Sequence, residues 1–361
     1  MLRKKETKID LCFLIACILL AIFLGFGIFF LPKKNFSEQE NRMLSSPPEL
    51  SLGALLDGSF FDTLSSFCSD HIPMRNTMIS AKAACELCLG KRQNNGVIFS
   101  SNGVLTDRLE YDDTSMLTKN ISAIQSFSEK NGAKLIIVPR SVDVRFPELD
   151  RSARVSQVCE PTLLGNLRAL YQTGTDPYYK TDHHLNASGI LALYELLGEE
   201  LGYTPTNVER QIVSSSFLGS VYSKAGLLNT TKDELVLLRY EGDENVRVRC
   251  FDDGCEQSSL YAWDRLNVKD KYTVFLGGNH GLMEISKAGT GKPRVLLIKD
   301  SFANALIPIL AEHFDITAVD PRYCKDDLST LAEKGKFDRI LVLCGADTLA
   351  TTNIAKSFAA N

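Results

Sequence analysis

A continuous apolar segment near the N-terminus predicts a membrane span. Leu11 to Leu31 holds 21 apolar or small residues and no charged residue. As a helix that rises about 1.5 Å per residue, this segment is roughly 31 Å long, which matches the hydrocarbon core of a bilayer. Four cations precede it within residues 1–10, so the positive-inside rule places the N-terminus in the cytoplasm and the remainder outside.

We therefore interpret residues 1–10 as a cytoplasmic tail and residues 11–31 as a transmembrane signal anchor. A cleaved signal peptide is the alternative. The apolar run is longer than is usual for a signal peptide, and no A-x-A cleavage site precedes Pro32. These observations favour a single-pass protein of the cell membrane whose C-terminal part is extracytoplasmic.

Four other apolar runs have the pattern of buried parallel strands, because they are continuous rather than alternating. Segments with apolar residues at helical spacing separate them, such as Ile190 to Leu201. This alternation of strands and helices predicts an α/β fold with a doubly wound parallel sheet. The four runs are 135–138, 294–298, 316–319 and 340–343.

The remaining pattern divides the chain into an arm and a domain. Residues 36–104 carry amphipathic helical stretches and, around Asn102-Gly103, a predicted β-hairpin, so we interpret them as a membrane-proximal arm. Residues 105–361 form the α/β domain. Within it, residues 204–272 change to short strands and turns, which predicts a β-rich insertion.

Charge and cysteine content narrow the function classes. Without the first 34 residues, 34 Lys and Arg stand against 42 Asp and Glu, a net charge of −8. An acidic surface is unsuited to nucleic acid, so we expect no nucleic-acid partner.

Eight of the ten cysteines lie outside the predicted span, where an oxidising compartment allows pairing. Cys250 and Cys255, on either side of the turn Asp252-Asp253-Gly254, are the best disulfide candidates.

Two distant segments hold the residue types that a serine nucleophile requires. Asp182-His183-His184 lies in one, and Ser301 lies in the other. A serine hydroxyl needs an imidazole to accept its proton and a carboxylate to orient that imidazole. In extended backbone, Asp182 and His184 share one face while His183 points to the other. The sequence therefore predicts a triad of Asp182, His184 and Ser301.

Ser301 follows the apolar strand that ends at Lys299 and begins a predicted helix that runs through Leu310. This position places the hydroxyl at the carboxyl edge of the sheet, where a helix N-terminus offers N–H groups to an oxyanion. The simpler alternative is that Asp300 or Ser301 serves only as a helix N-cap.

Two more segments are predicted to contact substrate or oxyanion. In Gly277-Gly278-Asn279-His280-Gly281, the glycines, Gly278 among them, let the backbone approach a ligand, and Asn279 can donate its amide to an oxyanion. Arg322 and Tyr323 follow the strand at Val319, at the same sheet edge. A glycine-rich turn and a surface loop are the alternatives for these two segments.

A metal-dependent hydrolase is a further alternative, with Asp182, His183 or His184, and His280 as ligands. The chain has five histidines, and these candidates come from separate segments, which disfavours a metal site. We predict that the protein needs no metal or other cofactor.

Four motifs in order resemble one family. FSEQENRML after the predicted span, YYKTDHHLNASG, FLGGNHG and KDSFANALIP are similar to the bacterial DHHW proteins, which are related to the alginate O-acetyltransferases and resemble SGNH hydrolases. The resemblance extends in pieces from about Phe36 to Tyr323. It implies an SGNH-hydrolase-like fold in which Asp182, His184 and Ser301 form the triad.

The resemblance also implies a function. It indicates an extracytoplasmic O-acetyltransferase or acetylesterase that acts on hydroxyls of a cell-surface or exported polysaccharide through an acetyl-serine intermediate. A multispanning membrane O-acyltransferase is the implied partner and acetyl donor. Two residues depart from the pattern: Leu185 replaces the tryptophan of DHHW, and Lys299 stands where many SGNH proteins have glycine. The alternative is a non-catalytic SGNH-like scaffold or glycan-binding subunit of a membrane acyltransferase complex.

Overall fold

The computed structural model describes most of the chain. The described ranges are 2–37, 42–108, 113–149, 153–227, 230–244, 246–252, 254–287 and 289–358, with the backbone alone for 2–10, 153 and 154. Residues 38–41 of the FSEQENRML motif and residue 253 of the predicted turn lie outside these ranges. Two compact units are present: Met1–Asn94 with Gly226–Asn229, and Asn95–Ala225 with Thr230–Asn361.

The first unit is mainly helical. Its first helix, α1 (Leu2–Phe30), contains the predicted span, and its segment Leu11–Phe30 is long and apolar enough to cross a bilayer, a property that signal sequences share. The other elements of this unit are α2 (Leu52–Leu56), α3 (Ser59–His71), α4 (Arg75–Cys88), β1 (Phe36–Ser37), β2 (Arg42–Met43) and β3 (Gln93–Asn94).

The second unit has an α/β architecture. Its strands are β4 (Val97–Phe99), β5 (Leu105–Asp107), β6 (Lys134–Val138), β7 (Glu209–Phe217), β8 (Asp233–Arg239), β9 (Arg247–Cys250), β10 (Glu256–Gln257), β11 (Leu282–Ser286), β12 (Arg294–Lys299), β13 (Asp315–Val319) and β14 (Arg339–Gly345). Its helices are α5 (Ser115–Asn131), α6 (Ser141–Arg145), α7 (Ala153–Ser156), α8 (Pro161–Gln172), α9 (Ala187–Leu201), α10 (Ser220–Ala225), α11 (Ile307–Leu310), α12 (Leu328–Gly335), α13 (Ala346–Thr351) and α14 (Ala355–Phe358). The 3₁₀ helices are Pro147–Leu149, Trp263–Asn267, Lys271–Val274 and Ser301–Ala303.

A mixed sheet forms the centre of this unit. Over the described residues it has seven strands in the order β10-β9-β11-β13-β12-β14-β6. The four predicted strands are β6, β12, β13 and β14, and they pair parallel. The other three strands pair antiparallel, so the sheet is not parallel throughout as the sequence predicted. β11 pairs antiparallel with both β13 and β9, which makes the sheet mixed. At its edge, residues 251–255 join β9 to β10, and so short a connection permits only a hairpin.

Both faces of the sheet are covered, which explains the continuous apolar runs. Along β12, Val295 and Leu297 belong to one buried cluster, which also contains residues of α9. Leu296 and Ile298 belong to a second cluster with residues of α5 and α13. A strand buried on both faces has no solvent-facing position to fill with polar residues, so its sequence does not alternate.

One predicted helix is not continuous. The sequence indicated a helix from Ser301 through Leu310, but the chain forms a single 3₁₀ turn at Ser301–Ala303 and a separate α11 that starts at Ile307. Pro308 explains the interruption, because a proline inside a continuous helix lacks the N–H and its ring collides with the carbonyl four residues earlier. Within the first turn of α11 a proline is well tolerated.

Cys250 and Cys255 face each other across the start of the β9–β10 hairpin. The N–H of Cys250 donates to the carbonyl of Cys255 over 2.8 Å. Cys250 is buried, whereas Cys255 is exposed. Their pairing as a disulfide stays a prediction.

A buried asparagine ties α5 to the α13–α14 connection. Asn120 is fully buried. Its amide donates to the carbonyls of Leu349 and Thr352 over 2.8 and 2.7 Å, and its carbonyl oxygen accepts from the N–H groups of Ile354 and Ala355. The hydrogen-bonding capacity of this side chain is therefore filled by backbone groups that have no regular partner within a helix.

We expect Asn120→Ala to lower the free energy of unfolding by about 2–4 kcal/mol, because buried backbone groups lose their partners at about 1–3 kcal/mol each. Urea unfolding of the detergent-solubilised full chain, followed by circular dichroism, measures this change. Gln125→Ala, at an exposed position of the same helix, is the matched control and should change stability by less than about 0.5 kcal/mol. Equal unfolding midpoints for the two variants would contradict the anchoring role of Asn120.

Candidate active site

His184 connects a carboxylate to a serine hydroxyl. Its Nδ1 lies 2.6 Å from Oδ1 of Asp182, and its Nε2 lies 2.9 Å from Oγ of Ser301. An ionised carboxylate can only accept hydrogen bonds, so Nδ1 carries the proton and Nε2 presents its lone pair to the hydroxyl. The structure therefore brings together Asp182, His184 and Ser301 in the geometry that activates a serine for nucleophilic attack.

Four hydrogen bonds hold the carboxylate of Asp182. One oxygen accepts from the backbone N–H of His184 over 3.0 Å as well as from its ring. The other oxygen accepts from the N–H and the hydroxyl of Ser220 over 2.7 and 2.9 Å. Gly219 makes this approach possible, since a Cβ there would lie 2.3 Å from Cβ of Asp182. Sequence analysis did not identify Ser220 or Gly219 as part of the site, because both lie in the segment that we interpreted as a β-rich insertion.

Asp182 stays ionised although it is only 4% exposed. Burial alone opposes ionisation, but the neighbouring His183 and His184 and the hydrogen bonds from His184 and Ser220 outweigh it and hold the pKa of Asp182 well below its usual range. The ionised carboxylate beside Nδ1 stabilises the imidazolium that forms when His184 accepts a proton.

His183 does not point away from the site as the sequence suggested. Residues 181–184 form bends rather than extended backbone, so neighbouring side chains do not alternate. The imidazole centroids of His183 and His184 lie 3.9 Å apart. Nδ1 of His183 is 2.7 Å from the Ser220 hydroxyl, which already donates to Asp182 and so accepts from His183. Burial and the adjacent His184 lower the pKa of His183, which favours its neutral form.

Tyr272 forms the other wall of the site, a role that sequence reasoning missed. Its ring stacks on the imidazole of His184 at 3.9 Å and 8°. Its hydroxyl donates to the backbone carbonyl of Ser301 over 3.2 Å. Tyr272 therefore contacts the base and the backbone of the nucleophile at once. A single tyrosine in a short 3₁₀ helix has no local sequence pattern that predicts such a contact.

Asp300 shapes the turn that presents Ser301. Its carboxylate accepts from the N–H of Phe302 over 2.9 Å and from the N–H of Gly345 over 2.7 Å. The N-cap role considered for Asp300 or Ser301 therefore falls to Asp300. The hydroxyl of Ser301 is left to bond His184. Within the described part of the chain, the backbone N–H of Ser301 has no hydrogen-bond acceptor.

The glycine-rich segment contains an exposed amide, that of Asn279. Gly277 and Gly278 have φ values of 81° and 118°, a region that favours glycine. Asn279 accepts a hydrogen bond at its Oδ1 from Nδ2 of Asn304 over 3.0 Å. Its own Nδ2 has no acceptor among the residues that the structure describes. Both the amide and the Ser301 N–H are therefore available to a ligand.

Arg322 and Tyr323 follow β13 at the carboxyl edge. The guanidinium of Arg322 makes two hydrogen bonds to Asp320, at 2.9 and 2.7 Å, and lies 5.3 Å from the ring centre of Tyr323. Tyr323 is 53% exposed. Arg322 is thus held in an ion pair with Asp320, and its guanidinium lies over the ring of the exposed Tyr323. A substrate-binding role for these two residues stays a prediction.

The metal site that the sequence left as an alternative does not assemble from the expected segments. Potential ligand atoms of Asp182, His183 and His184 lie within 4.8 Å of one another, but His280 is not part of this group. His280 instead contacts the Leu276 carbonyl and Asp252 over 3.2 and 3.3 Å. The carboxylate and both Nδ1 atoms of the group are occupied by hydrogen bonds to protein groups.

Comparison with known proteins bears on this geometry. The model of the DHHW protein family matches residues 166–319, which include Asp182, His184 and Ser301. Over these residues the chain is similar to the DHHW family. No significant sequence match to a curated protein was found.

Several solved structures have a similar fold. A DHHW family protein from Eubacterium siraeum aligns with a TM-score of 0.60 at 18% identity, over 74% of this chain and 95% of that chain. Bacillus cereus PatB1, determined with a sulfonyl adduct, aligns with a TM-score of 0.58 at 16% identity, over 72% and 97%. The O-acetyltransferase domain of Pseudomonas putida AlgJ gives 0.39 at 14% identity, over 73% and 98%. At these identities the first two alignments establish a shared fold.

The residue that replaces the tryptophan of the DHHW motif is part of the core. Leu185 is 1% exposed and belongs to the same buried cluster as α9. A Cβ at Gly189, in the first turn of α9, would lie 2.7 Å from a Leu185 methyl carbon, so the two residues are closely packed. The Leu185 side chain therefore packs in the core next to the site, and it is too buried to contact a sugar.

Stability at acid pH tests the charge on Asp182. Because its pKa is lower in the folded state, its ionised form contributes stability that is complete above the unfolded pKa of about 3.9 and is lost as the pH falls further. We expect the stability of wild type relative to Asp182→Asn to decrease below about pH 4, by up to about 1.4 kcal/mol per pH unit. Urea unfolding between pH 7 and pH 3 measures this difference.

The matched control is Asp264→Asn, whose side chain is 80% exposed. It should follow the pH dependence of wild type. A constant stability difference between wild type and Asp182→Asn across this range would show that Asp182 does not gain from ionisation in the folded protein.

Proposed function

We propose that this protein moves acetyl groups on or off hydroxyls of an extracytoplasmic polysaccharide, with Ser301 as the nucleophile. The observation that carries the proposal is the hydrogen-bonded series Asp182–His184–Ser301, with distances of 2.6 and 2.9 Å. An exposed hydroxyl without such a base is a poor nucleophile at neutral pH. The related fold of DHHW proteins supports the same assignment.

In the first half-reaction, Oγ of Ser301 attacks the carbonyl carbon of an acetyl ester while its proton moves to Nε2 of His184. Asp182 stabilises the resulting imidazolium. The tetrahedral oxyanion accepts hydrogen bonds from the N–H of Ser301 and from Nδ2 of Asn279. The intermediate then collapses, the bond to the leaving alkoxide breaks, and His184 returns the proton to that oxygen, which leaves acetyl-Ser301 and a free alcohol.

In the second half-reaction, an acceptor hydroxyl attacks the acetyl carbon of acetyl-Ser301. His184 now takes the acceptor's proton and returns it to Oγ as the ester bond to Ser301 breaks. A sugar hydroxyl as acceptor yields an acetylated glycan, whereas water yields acetate. Tyr272 keeps the imidazole plane in place through both steps, since its ring stacks on His184.

The N-terminal helix supports a location at the membrane. A span of about 30 Å anchored in the bilayer would hold the second unit near a membrane-bound acetyl donor, and a multispanning O-acyltransferase is the partner of suitable chemistry. The rival function is a scaffold or glycan-binding subunit, which would keep the fold without forming a covalent intermediate.

Ser301→Ala is the direct test. We expect the detergent-solubilised full chain to hydrolyse p-nitrophenyl acetate, and the variant to lose about 10³-fold or more in kcat, because the remaining groups can stabilise an oxyanion but cannot form the acyl-enzyme. A sulfonyl fluoride should add one sulfonyl group to wild type and none to Ser301→Ala by intact-mass spectrometry. This reagent class is chosen because PatB1 is known with a sulfonyl adduct.

Ser126→Ala, at an exposed helical position, is the control and should keep both turnover and labelling. Equal turnover by wild type and Ser301→Ala would exclude Ser301 as the nucleophile. Binding of a polysaccharide by a protein that shows neither turnover nor labelling would instead favour the scaffold function.

The acceptor distinguishes transfer from hydrolysis. If deacetylation limits turnover and a sugar hydroxyl is the acceptor, adding a cell-wall oligosaccharide should raise p-nitrophenol release and produce an acetylated saccharide detectable by mass spectrometry. Turnover that yields only acetate at every saccharide concentration would identify the protein as an esterase.

A further inference from the structure

Three polar side chains form a directed series next to the nucleophile. Nζ of Lys299 donates to Oδ1 of Asn304 over 2.6 Å, and Nδ2 of Asn304 donates to Oδ1 of Asn279 over 3.0 Å. Lys299 is 1% exposed and Asn304 is 2% exposed, so neither side chain has water as an alternative partner.

The hydrogen-bonding chemistry gives this series one direction. A lysine ammonium has three donors and no acceptor, so the oxygen end of the Asn304 amide must face Lys299. The NH₂ end of Asn304 then faces Asn279, which can only receive it with its own oxygen. The NH₂ end of Asn279 is therefore directed away from Asn304. Without Lys299, each amide could rotate by 180° about its last bond and present either end.

The backbone places this series beside the nucleophile. Ser301 begins the 3₁₀ turn, and the N–H of Asn304 donates to the Ser301 carbonyl over 3.1 Å. With three residues per turn, side chains at positions i and i+3 of such a turn lie one above the other. Asn304 therefore projects from the same side of the turn as Ser301, and its contact with Asn279 keeps that amide on the same side.

Lys299 is costly for stability, which calls for a reason beyond packing. Burying an ammonium carries a desolvation penalty of several kcal/mol even with partners. Burial lowers the pKa of Lys299, while Asp320 and Asp300 nearby favour the protonated form and Arg322 opposes it. An apolar side chain at the end of β12 would avoid this penalty. A function for the donated hydrogen bond explains why a lysine occupies this position.

We propose that Lys299 and Asn304 are positioning residues that determine which end of the Asn279 amide faces the oxyanion at Ser301. The inference rests on the proposed function, in which Ser301 carries the acetyl group. It assigns a role to the lysine that stands where SGNH proteins often have glycine. Neither Lys299 nor Asn304 contacts the reacting atoms; each acts through Asn279.

Asn304→Asp tests the direction of the amide. A carboxylate has acceptors only, so Asn279 must turn its NH₂ end toward Asp at 304 and present its oxygen to the oxyanion. We expect kcat for p-nitrophenyl acetate to fall by about 10²-fold, the cost typical of one lost oxyanion donor, with KM changed by less than about 2-fold. Folding should be preserved, because Lys299 gains an ionic partner in place of a neutral one.

A double-mutant cycle separates positioning from a structural effect. Asn279→Ala alone should lower kcat to a similar extent. Adding Asn304→Asp to Asn279→Ala should then lower kcat by less than about 3-fold, because no amide is left to misdirect. An equal loss from Asn304→Asp in both backgrounds would mean that Asn304 acts on the fold and would overturn the inference.

Lys299→Met provides a second, independent variant. It keeps the length of the side chain and removes the donor, so we expect a smaller loss of kcat, about 10-fold, since the Asn304 amide then samples both orientations. The thermal midpoint, measured for each variant, should stay at or above that of wild type. Unchanged kcat in a folded Lys299→Met protein would overturn the role of the lysine.

The Ser301→Ala variant in the same assay distinguishes the two proposals. Turnover that does not depend on Ser301 would overturn the proposed function and this inference with it. Ser301-dependent turnover that Asn304→Asp leaves unchanged would overturn the inference alone.

Discussion

A buried, ionised carboxylate is the constraint on which the arrangement of this site depends. Asp182 is almost inaccessible to water, and a charge in such a place is stable only when donors surround it. The donors come from His184, which lies two residues away, and from Ser220, which is distant in the chain. Meeting this requirement orients the imidazole, brings the start of α10 against the loop, and requires a glycine at 219.

The loop that carries Asp182 is itself held by a second carboxylate. Asp233, at the start of β8, accepts hydrogen bonds from the N–H of Lys180 and from the N–H and hydroxyl of Thr181. The Thr181 hydroxyl in turn accepts from the N–H of Gly219. Residues between 204 and 272, which read as an insertion in the sequence, therefore supply Gly219, Ser220 and Asp233 to the support of the triad.

The position of the nucleophile Ser301 depends on the sheet rather than on a buried charge. Here the sheet supplies the position, since β12 ends at Lys299 with parallel neighbours on both sides. Pro308 limits the following turn to a short 3₁₀ segment, and that turn brings Ser301 and Asn304 to the same side. Under our proposal, burying Lys299 lowers stability but serves the reaction, because the lysine selects one of two otherwise similar orientations of the amide.

The sequence by itself determined the local and strongly patterned features. The apolar segment at Leu11–Leu31 and the four continuous strands could be predicted from the sequence, because burial on all sides leaves an uninterrupted run of apolar residues. For the site, the residue types required for nucleophilic chemistry pointed to Asp182, His184 and Ser301, and the resemblance to DHHW proteins pointed to the same residues.

Only the tertiary structure decided how distant segments meet. The roles of Ser220, Tyr272 and Asn304 depend on contacts between positions that are far apart in the chain, and such contacts leave no periodic trace in the sequence. The position of His183 beside His184 depends on bends in the loop, which override the alternation expected of extended backbone. The sheet is mixed because β11 lies antiparallel between β9 and β13, two strands to which it is not directly connected in the chain. In each case, packing and hydrogen bonding across the fold outweighed the local preference, and that balance is a property of the folded chain.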